Sequence, residues 1–583
     1  MTASGPTARG RPSADTANSG SVPRRPPEAS PVTRILPAWQ TVLVLIGLAV
    51  LVLVIGARDL AQGGFSWSDA PLHAMDGVFV HDLFLRTTPD SLRTWAEQYY
   101  LKYPCLGFLV YYPPAFAVVE AMVFLLFGIS VAVARATVLL FVIGAVWLIY
   151  LLARELFSTR VGLVAAILAI TTPAGVVWSR HVMLEWPATF FIVLTLLAWR
   201  RYASKPSWLK GMLIACGCVG SYLTKQTAVF VMGVLLADAL VHRQHRVMAR
   251  RSFWVPMIIA LFVLMGYAFA TAGINKLAPQ LILGSPPLRH LVQLETWTWY
   301  VMRLPHIVGW PVIIASVIAV VMLMADHTCR RNLVLPLLWL AAWWLVCTLF
   351  AAKEERYFFY ATPAIGMIVA SGLAQVGGKR FATIGSAALV MICCIQMVAA
   401  IMTPTHRLAS MRPTVDYLAQ QADADLVLVD AVRDGQFVFD VRTTPAARNK
   451  IIAMRASKFL YSRSARTRYD YEAHITTPRE LRRWLDAYGI RYVVIEDRLP
   501  ETPDQSWDTV PRVMLRATLT DTKLFERVFD QSLAGDDHTW HDVRLVTYRY
   551  LDAKPRQTNT ITVRVPAMGR DFKLTLPHTP SSE

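Results

Sequence analysis

Long apolar runs, separated by short polar intervals, occupy the chain from about residue 40 to residue 402. Gln40–Ala57 is the first, and as a helix it is long enough to cross a hydrocarbon core of about 30 Å. Runs of comparable character are Val131–Ala153, Val161–Trp178, Pro187–Trp199, Leu209–Tyr222, Thr227–Val241, Phe253–Ala272, Ile307–Ala325, Leu333–Ala351, Phe358–Ala374 and Phe381–Met402. Together they predict about eleven transmembrane helices, several of them short. Backbone polar groups cannot go unpaired in lipid, so helix is the expected conformation throughout. Phe108–Phe127 stands apart. It contains Pro113-Pro114 and a central Glu120, and counting it as a span inverts every later loop. It is read as an amphipathic or re-entrant helix at the outer membrane surface; the alternative is a twelfth span paired with another elsewhere.

The pattern changes after Met402. A polar stretch with alternating helical and extended periodicity begins there, with helix expected over Val415–Gln421 and Arg479–Tyr488. Strands are expected at Leu426–Asp430, Phe437–Val441, Tyr492–Ile495 and Arg544–Tyr550. Three regions result: a disordered tail over 1–38, a transmembrane domain over 39–403 whose first external loop covers 58–130, and a soluble α/β domain over 404–583. The fold class is an α-helical integral membrane protein with external juxtamembrane helices and a C-terminal external α/β domain.

Basic residues set the orientation. Arg24, Arg25 and Arg34 precede the first run and place the N-terminus inside. Arg154 with Arg160, Arg200 with Arg201, Arg250 with Arg251, Arg330 with Arg331 and Lys379 with Arg380 then all fall on the cytoplasmic side. An odd number of spans puts the C-terminal domain outside. The first thirty-odd residues are rich in Pro, Ser, Thr, Ala and Arg without apolar periodicity, and the first run begins too late and is too long for a cleaved signal peptide.

Composition agrees with the pattern. The 583 residues are 55% hydrophobic and 17% charged, with a mean hydropathy of +0.40, against roughly 25% charged in soluble domains. The net charge of +18 is scattered over short loops, which fits membrane orientation and argues against a nucleic-acid partner. Seven cysteines form neither a disulfide framework nor a zinc spacing.

The candidate chemistry lies on the predicted outer loops. Loop one carries Asp69 in Trp67-Ser68-Asp69-Ala70, then His73, Asp76, His81, Asp82, Asp90 and Glu97. A carboxylate at the mouth of a membrane protein costs desolvation energy and is a functional candidate by default, although Ser-Asp is also common at helix caps. Glu185 comes next, in Trp178-Ser-Arg-His-Val-Met-Leu-Glu-Trp-Pro187, where it either acts in the site or pairs with Arg180 or His181. Lys225 sits between two apolar runs, and Lys353-Glu354-Glu355-Arg356-Tyr357 adds a further cluster. That cluster is either a phosphate site or a latch neutralised by its own glutamates.

In order along the chain stand an Asp-bearing first loop, Tyr112-Pro113-Pro114, Phe127-Gly128 with Arg135, Arg180 with Glu185 and Pro187, Lys225, and Lys353-x-x-Arg356-Tyr357. This order resembles the GT-C polytopic glycosyltransferases, in particular bacterial aminoarabinose lipid A transferases and dolichyl-phosphate-mannose protein mannosyltransferases. The resemblance implies a catalytic carboxylate at Asp69 and a second acidic residue at Glu185. Relatives often carry Asp-Glu where this chain has Asp69-Ala70, and a Lys or His before Pro-Pro where it has Tyr112. Lys102 is then a candidate to supply the missing cation. The substrate-binding candidates are Lys225, Arg356, Lys353, Tyr357, Arg180, Lys102, Tyr112, His73 and Asp76.

The resemblance and the chemistry of these residues together imply an inverting transferase. It would take a sugar from a polyprenyl-phosphate donor to a protein, lipid A or glycan acceptor, on the outer side of a bacterial cytoplasmic membrane. Phosphate leaves readily, so cations can replace a general acid, and neither a cofactor nor a catalytic metal is called for. The alternative class is a polytopic transporter or flippase of lipid-linked or small-molecule substrates. Such a protein is expected to show repeated halves and charges near mid-membrane; here no repeat is visible and the charges gather on one face.

Overall fold

The computed structural model describes residues 37–87, 91–107, 112–272, 288–325, 330–375, 379–405, 408–462, 471–498, 509–535, 542–565 and 570–576. The N-terminal tail up to residue 36, with Arg24, Arg25 and Arg34, lies outside these residues, as do Asp90, residues 108–111 and Cys329.

All eleven apolar runs are helical, but they differ in kind. Six helices have the length and apolarity to cross a membrane: Ala38–Gly56, Val131–Leu156, Arg251–Thr271, Arg331–Leu349, Glu355–Ala374 and Thr383–Met402. Two sharply bent pairs raise the number to eight among the described residues, Thr159–Thr171 with Pro173–Ser179 (66°) and Leu294–Val308 with Trp310–Leu323 (118°). The first bend has a local cause: Thr172 caps the second piece by accepting from the Gly175 N–H, and Pro173 opens it. The second turns on Gly309 at φ 85°, a conformation that costs a side chain-bearing residue energy. The remaining three runs fall in Glu185–Ser204, Trp208–Thr224 and Gln226–Val241. The first of these carries charge at both ends and is mostly buried among its neighbours; the other two are short.

Helices on the rim turn leucine, isoleucine, valine and phenylalanine outward, as at Leu43, Ile46, Phe262 and Val321. Val131–Leu156 runs through the interior, started by the Ser130 hydroxyl that accepts from the Val133 N–H. Glu185–Ser204 and Trp208–Thr224 approach closely enough that a Cβ on Gly217 would stand 2.3 Å from the Thr195 hydroxyl.

Loop one is ordered by two helices, Ala70–Phe84 and Leu92–Lys102. The segment after Pro113-Pro114 is helical over Ala115–Phe127, which spans only about 20 Å at 1.5 Å per residue. It buries Phe116, Ala117, Ala121 and Phe124 and exposes Leu126 and Phe127.

Beyond Met402 the chain builds a five-stranded mixed sheet. In spatial order the strands are Ile452–Arg455, Leu426–Asp430, Tyr492–Glu496, Arg544–Tyr550 and Phe525–Ser532. The first three are parallel and the last two antiparallel. Leu426–Asp430 and Tyr492–Glu496 are buried at every position, as strands covered on both faces are. Helices stand at Arg412–Gln420 and Pro478–Tyr488. One expectation is corrected: Phe437–Val441 is not a strand but the middle of the helix Asp434–Thr443. Four of its five residues are apolar, enough for either state. It connects two parallel neighbours, which a tight turn cannot join, so a crossover helix forms.

That helix also holds loop one. The Phe65 N–H donates to the Gln436 side chain at 2.7 Å, the Phe65 and Phe439 rings meet edge-on at 5.0 Å, and Asp82 pairs with Arg442, whose Nε donates to Oδ2 at 2.9 Å. Nearby, Arg433 donates to the Ser66 carbonyl at 2.9 Å and Arg455 to the Pro104 carbonyl at 2.6 Å.

Candidate active site

Asp69 stands at the start of the helix Ala70–Phe84, which has Pro71 in its first turn. Its carboxylate makes no capping bond to that helix. Instead Oδ2 accepts from the Tyr112 hydroxyl at 3.1 Å and from Nη1 of Arg356 at 2.6 Å. Tyr112 is brought in by the Pro-Pro segment, and Arg356 by the 3₁₀ turn Glu355–Ala361 that precedes the helix Thr362–Gln375. Residues 287 positions apart thus meet at one carboxylate oxygen. Arg356 also pairs with Glu354 at 2.5 Å through Nε.

A second ion pair lies beside the first. Glu185 opens the helix Glu185–Ser204 and is fully buried; its Oε1 accepts from Lys225 Nζ at 2.8 Å. Lys225 projects from the break between Trp208–Thr224 and the turn Gln226–Val229. Glu185 Oε2 has no hydrogen-bond partner among the described residues. The two pairs share the ring of Tyr357: Arg356 lies 5.4 Å and Lys225 5.6 Å from its centroid, and the Tyr360 ring is 5.7 Å from Lys225. Desolvated cation–ring contacts of this kind are worth about 2 kcal/mol or more, so the aromatic pair fixes where the two cations sit.

His73, one turn after Asp69, is buried, and its ring meets Tyr112 at 4.5 Å. Burial lowers its pKa to about 4, and it feels the charges of Asp69, Glu185, Lys225 and Arg356. It is therefore neutral near pH 7 and sits inside the field of both ion pairs. One carboxylate with two donors on a single oxygen, another with a buried oxygen to spare, two cations and a neutral imidazole form a site able to orient a hydroxyl, take its proton and hold an anion.

Seven of the residues singled out in the sequence come together here: Asp69, Glu185, Lys225, Arg356, Tyr357, Tyr112 and His73. The other four do other things. Arg180 is committed to backbone carbonyls at helix ends, donating to Ile55 at 2.9 Å, Thr403 at 2.7 Å and Ala400 at 3.2 Å. It ties the first apolar helix to the last one, because C-terminal carbonyls lack partners within their own helices. Lys353 likewise donates to the Cys347 and Thr348 carbonyls at 2.8 and 3.0 Å, and burial lowers its pKa to about 8. Asp76 accepts from the Gly107 N–H at 2.7 Å and holds the end of loop one. Lys102 lies apart from Asp69, in a cavity against the C-terminal sheet. Arg135, part of the motif order, closes the start of loop one by donating to the carbonyls of Gln62 at 2.8 Å and Gly64 at 2.7 Å. Tyr360 was not singled out; its only signal was its place in the aromatic run Tyr357-Phe-Phe-Tyr360.

Comparison with known proteins gives the architecture a context. Residues 112–268 match the family described as dolichyl-phosphate-mannose-protein mannosyltransferase. The structure is similar to that of ArnT from Cupriavidus metallidurans bound to undecaprenyl phosphate, at 13% identity and a TM-score of 0.54, covering 89% of this chain and 100% of that one. It is similar to the arabinofuranosyltransferase AftD from Mycobacteria at 14% identity and a TM-score of 0.52, covering 91% of this chain and 43% of that one. No curated protein matches the sequence. The chain resembles polytopic GT-C glycosyltransferases in fold over most of its length.

Proposed function

We propose that this chain is an inverting glycosyltransferase of a bacterial cytoplasmic membrane that works on the outer face and uses a polyprenyl-phosphate-linked sugar as donor. The observation that carries the reading is Asp69 Oδ2, held by Tyr112 and Arg356 beside the buried Glu185–Lys225 pair. The similarity in fold to a transferase bound to undecaprenyl phosphate supports it.

In this reading the acceptor hydroxyl attacks the anomeric carbon, its proton passes to Asp69, and the bond from that carbon to the phosphate oxygen breaks. The electron pair leaves with the polyprenyl phosphate. A single displacement inverts the anomeric centre. Lys225 and Arg356 face the leaving phosphate, whose developing charge they stabilise. The guanidinium, planar and forked, suits two phosphate oxygens at once. Glu185 holds Lys225 in place and offers Oε2 to a sugar hydroxyl. Neutral His73 offers a donor or an acceptor without adding charge. The acceptor is an envelope protein, lipid or glycan, and the sheet beyond Met402 lies on the same outer side, over loop one.

The test is Asp69→Asn in full-length protein reconstituted in nanodiscs with a polyprenyl-phosphate sugar. Transfer is expected to fall by about 10² to 10⁴, the range for losing a general base, while donor affinity stays within a few-fold. Undiminished transfer excludes Asp69 as the base. Mass spectrometry of envelope glycans from cells with and without the chain then identifies the acceptor.

A further inference from the structure

Away from Asp69, a cavity of about 1240 Å³ opens between the loop-one helix Leu92–Lys102 and the C-terminal sheet. Five basic side chains line it against two acidic ones. The two carboxylates are already matched: Asp82 to Arg442 and Asp425 to Arg556. Lys450 donates to the carbonyls of Ala419 and Gln421 and pairs with no carboxylate among the described residues. Lys102 and Arg448 also lack a carboxylate within ion-pair distance among the described residues. Burial and the positive charge of Arg442 and Arg448 push the Lys102 ammonium below its ordinary pKa. Like charges crowded into a partly desolvated wall are unfavourable unless an anion joins them.

The rest of the wall narrows what the anion is part of. Trp95, Tyr99 and Tyr103 line the same cavity. The hydroxyls of the two tyrosines are already engaged, with Asp82 at 2.7 Å and with the Arg448 carbonyl at 2.6 Å, so these rings contribute surface. Gln98, Asn449 and Thr575 add neutral polar groups. Aromatic surface, amides and hydroxyls around a cationic floor fit a saccharide bearing a phosphate better than a bare ion, which has no use for rings, and better than an acyl chain, which has none for the cations.

We propose that this cavity binds a phosphorylated saccharide, with Lys102 and Arg448 on the phosphate and Trp95, Tyr99 and Tyr103 against the sugar. The site is separate from the Asp69 cluster and does not depend on the reaction performed there. The same chemistry belongs to a soluble glycan and to the head of a glycolipid.

The test is calorimetric titration of the full-length protein, in nanodiscs of uncharged lipid, with a phosphorylated chito-oligosaccharide, its neutral parent, its alkyl glycoside and inorganic phosphate. The phosphorylated sugar is expected to bind at least tenfold more tightly than either the neutral sugar or phosphate alone. Lys102→Gln and Arg448→Gln are each expected to weaken it about tenfold with the melting temperature unchanged. Tighter binding of the alkyl glycoside assigns a glycolipid as the source, and equal binding a soluble glycan; both support the site. Equal binding of the phosphorylated sugar to wild type and both variants overturns the proposal. So does a phosphate affinity equal to that of the phosphorylated sugar.

Discussion

Removing Lys225 tests how the Glu185 carboxylate is kept in place. The pair is separated by 2.8 Å, Glu185 is fully buried, and the Lys225 side chain is 12% exposed. At an effective dielectric of ~20 the attraction is about 6 kcal/mol, opposed by several kcal/mol of desolvation for each ion. Lys225→Met leaves a buried carboxylate whose other oxygen already lacks a partner among the described residues, so a loss of about 3–5 kcal/mol is expected. Glu185→Gln strands the ammonium in the same way, although Tyr357 and Tyr360 soften that loss. The double variant buries no unmatched charge, so it is expected to be more stable than Lys225→Met, with a coupling energy of at least about 2 kcal/mol. Reversible unfolding in mixed micelles measures stability, and transfer from the lipid-linked donor is measured on the same samples. A double variant no more stable than Lys225→Met, or a coupling below about 0.5 kcal/mol, refutes the buried-pair argument. Full transfer by the stable double variant refutes any role of the pair in donor binding.

Three other contacts give outcomes that can be measured directly. His73 keeps a pKa of about 4 in the folded protein against 6.5 unfolded, so the unfolded chain alone takes up a proton between those values. Stability is complete above pH 6.5 and declines as pH falls towards 4, by up to about 3 kcal/mol; pH-dependent melting of His73→Gln should lack this decline. Arg180→Lys cannot reach carbonyls from two helices at once, so a stability loss of about 1–3 kcal/mol is expected, with donor affinity unchanged in a binding titration. A tenfold loss of donor affinity would return Arg180 to the site. Gly77→Ala places a Cβ 2.3 Å from Oε2 of the fully buried Glu120, an overpacking worth about 1–3 kcal/mol. Adding Glu120→Ala should relieve part of it in the same unfolding assay, and no relief would show that the clash lies elsewhere.

The helical state of the apolar runs was legible, because lipid forces any long apolar segment into a helix with its backbone bonds closed locally. The strands expected at Leu426–Asp430 and Tyr492–Ile495 were legible for a related reason: a short, almost wholly apolar run between polar stretches has few other places to go. Phe437–Val441 was not. A five-residue run that is apolar except for Asp440 fits strand and helix equally, and only its place between two parallel strands decided the matter.

The candidate site divides along the same line. Residue type and predicted side of the membrane were enough to bring Asp69, Glu185, Lys225 and Arg356 forward as charges that need a reason to be there. Sequence could not tell which cations are engaged elsewhere. Arg180 and Lys353 have the same local credentials as Lys225 and Arg356, yet their donors end on helix carbonyls. The difference lies in where neighbouring helices terminate, a property of packing between segments hundreds of residues apart. By itself the sequence determined that the chain enters the membrane and which charges are costly there. Only the tertiary structure decided that Arg356 reaches Asp69 and Lys225 reaches Glu185, because a charge is matched by whatever the fold places within about 3 Å of it.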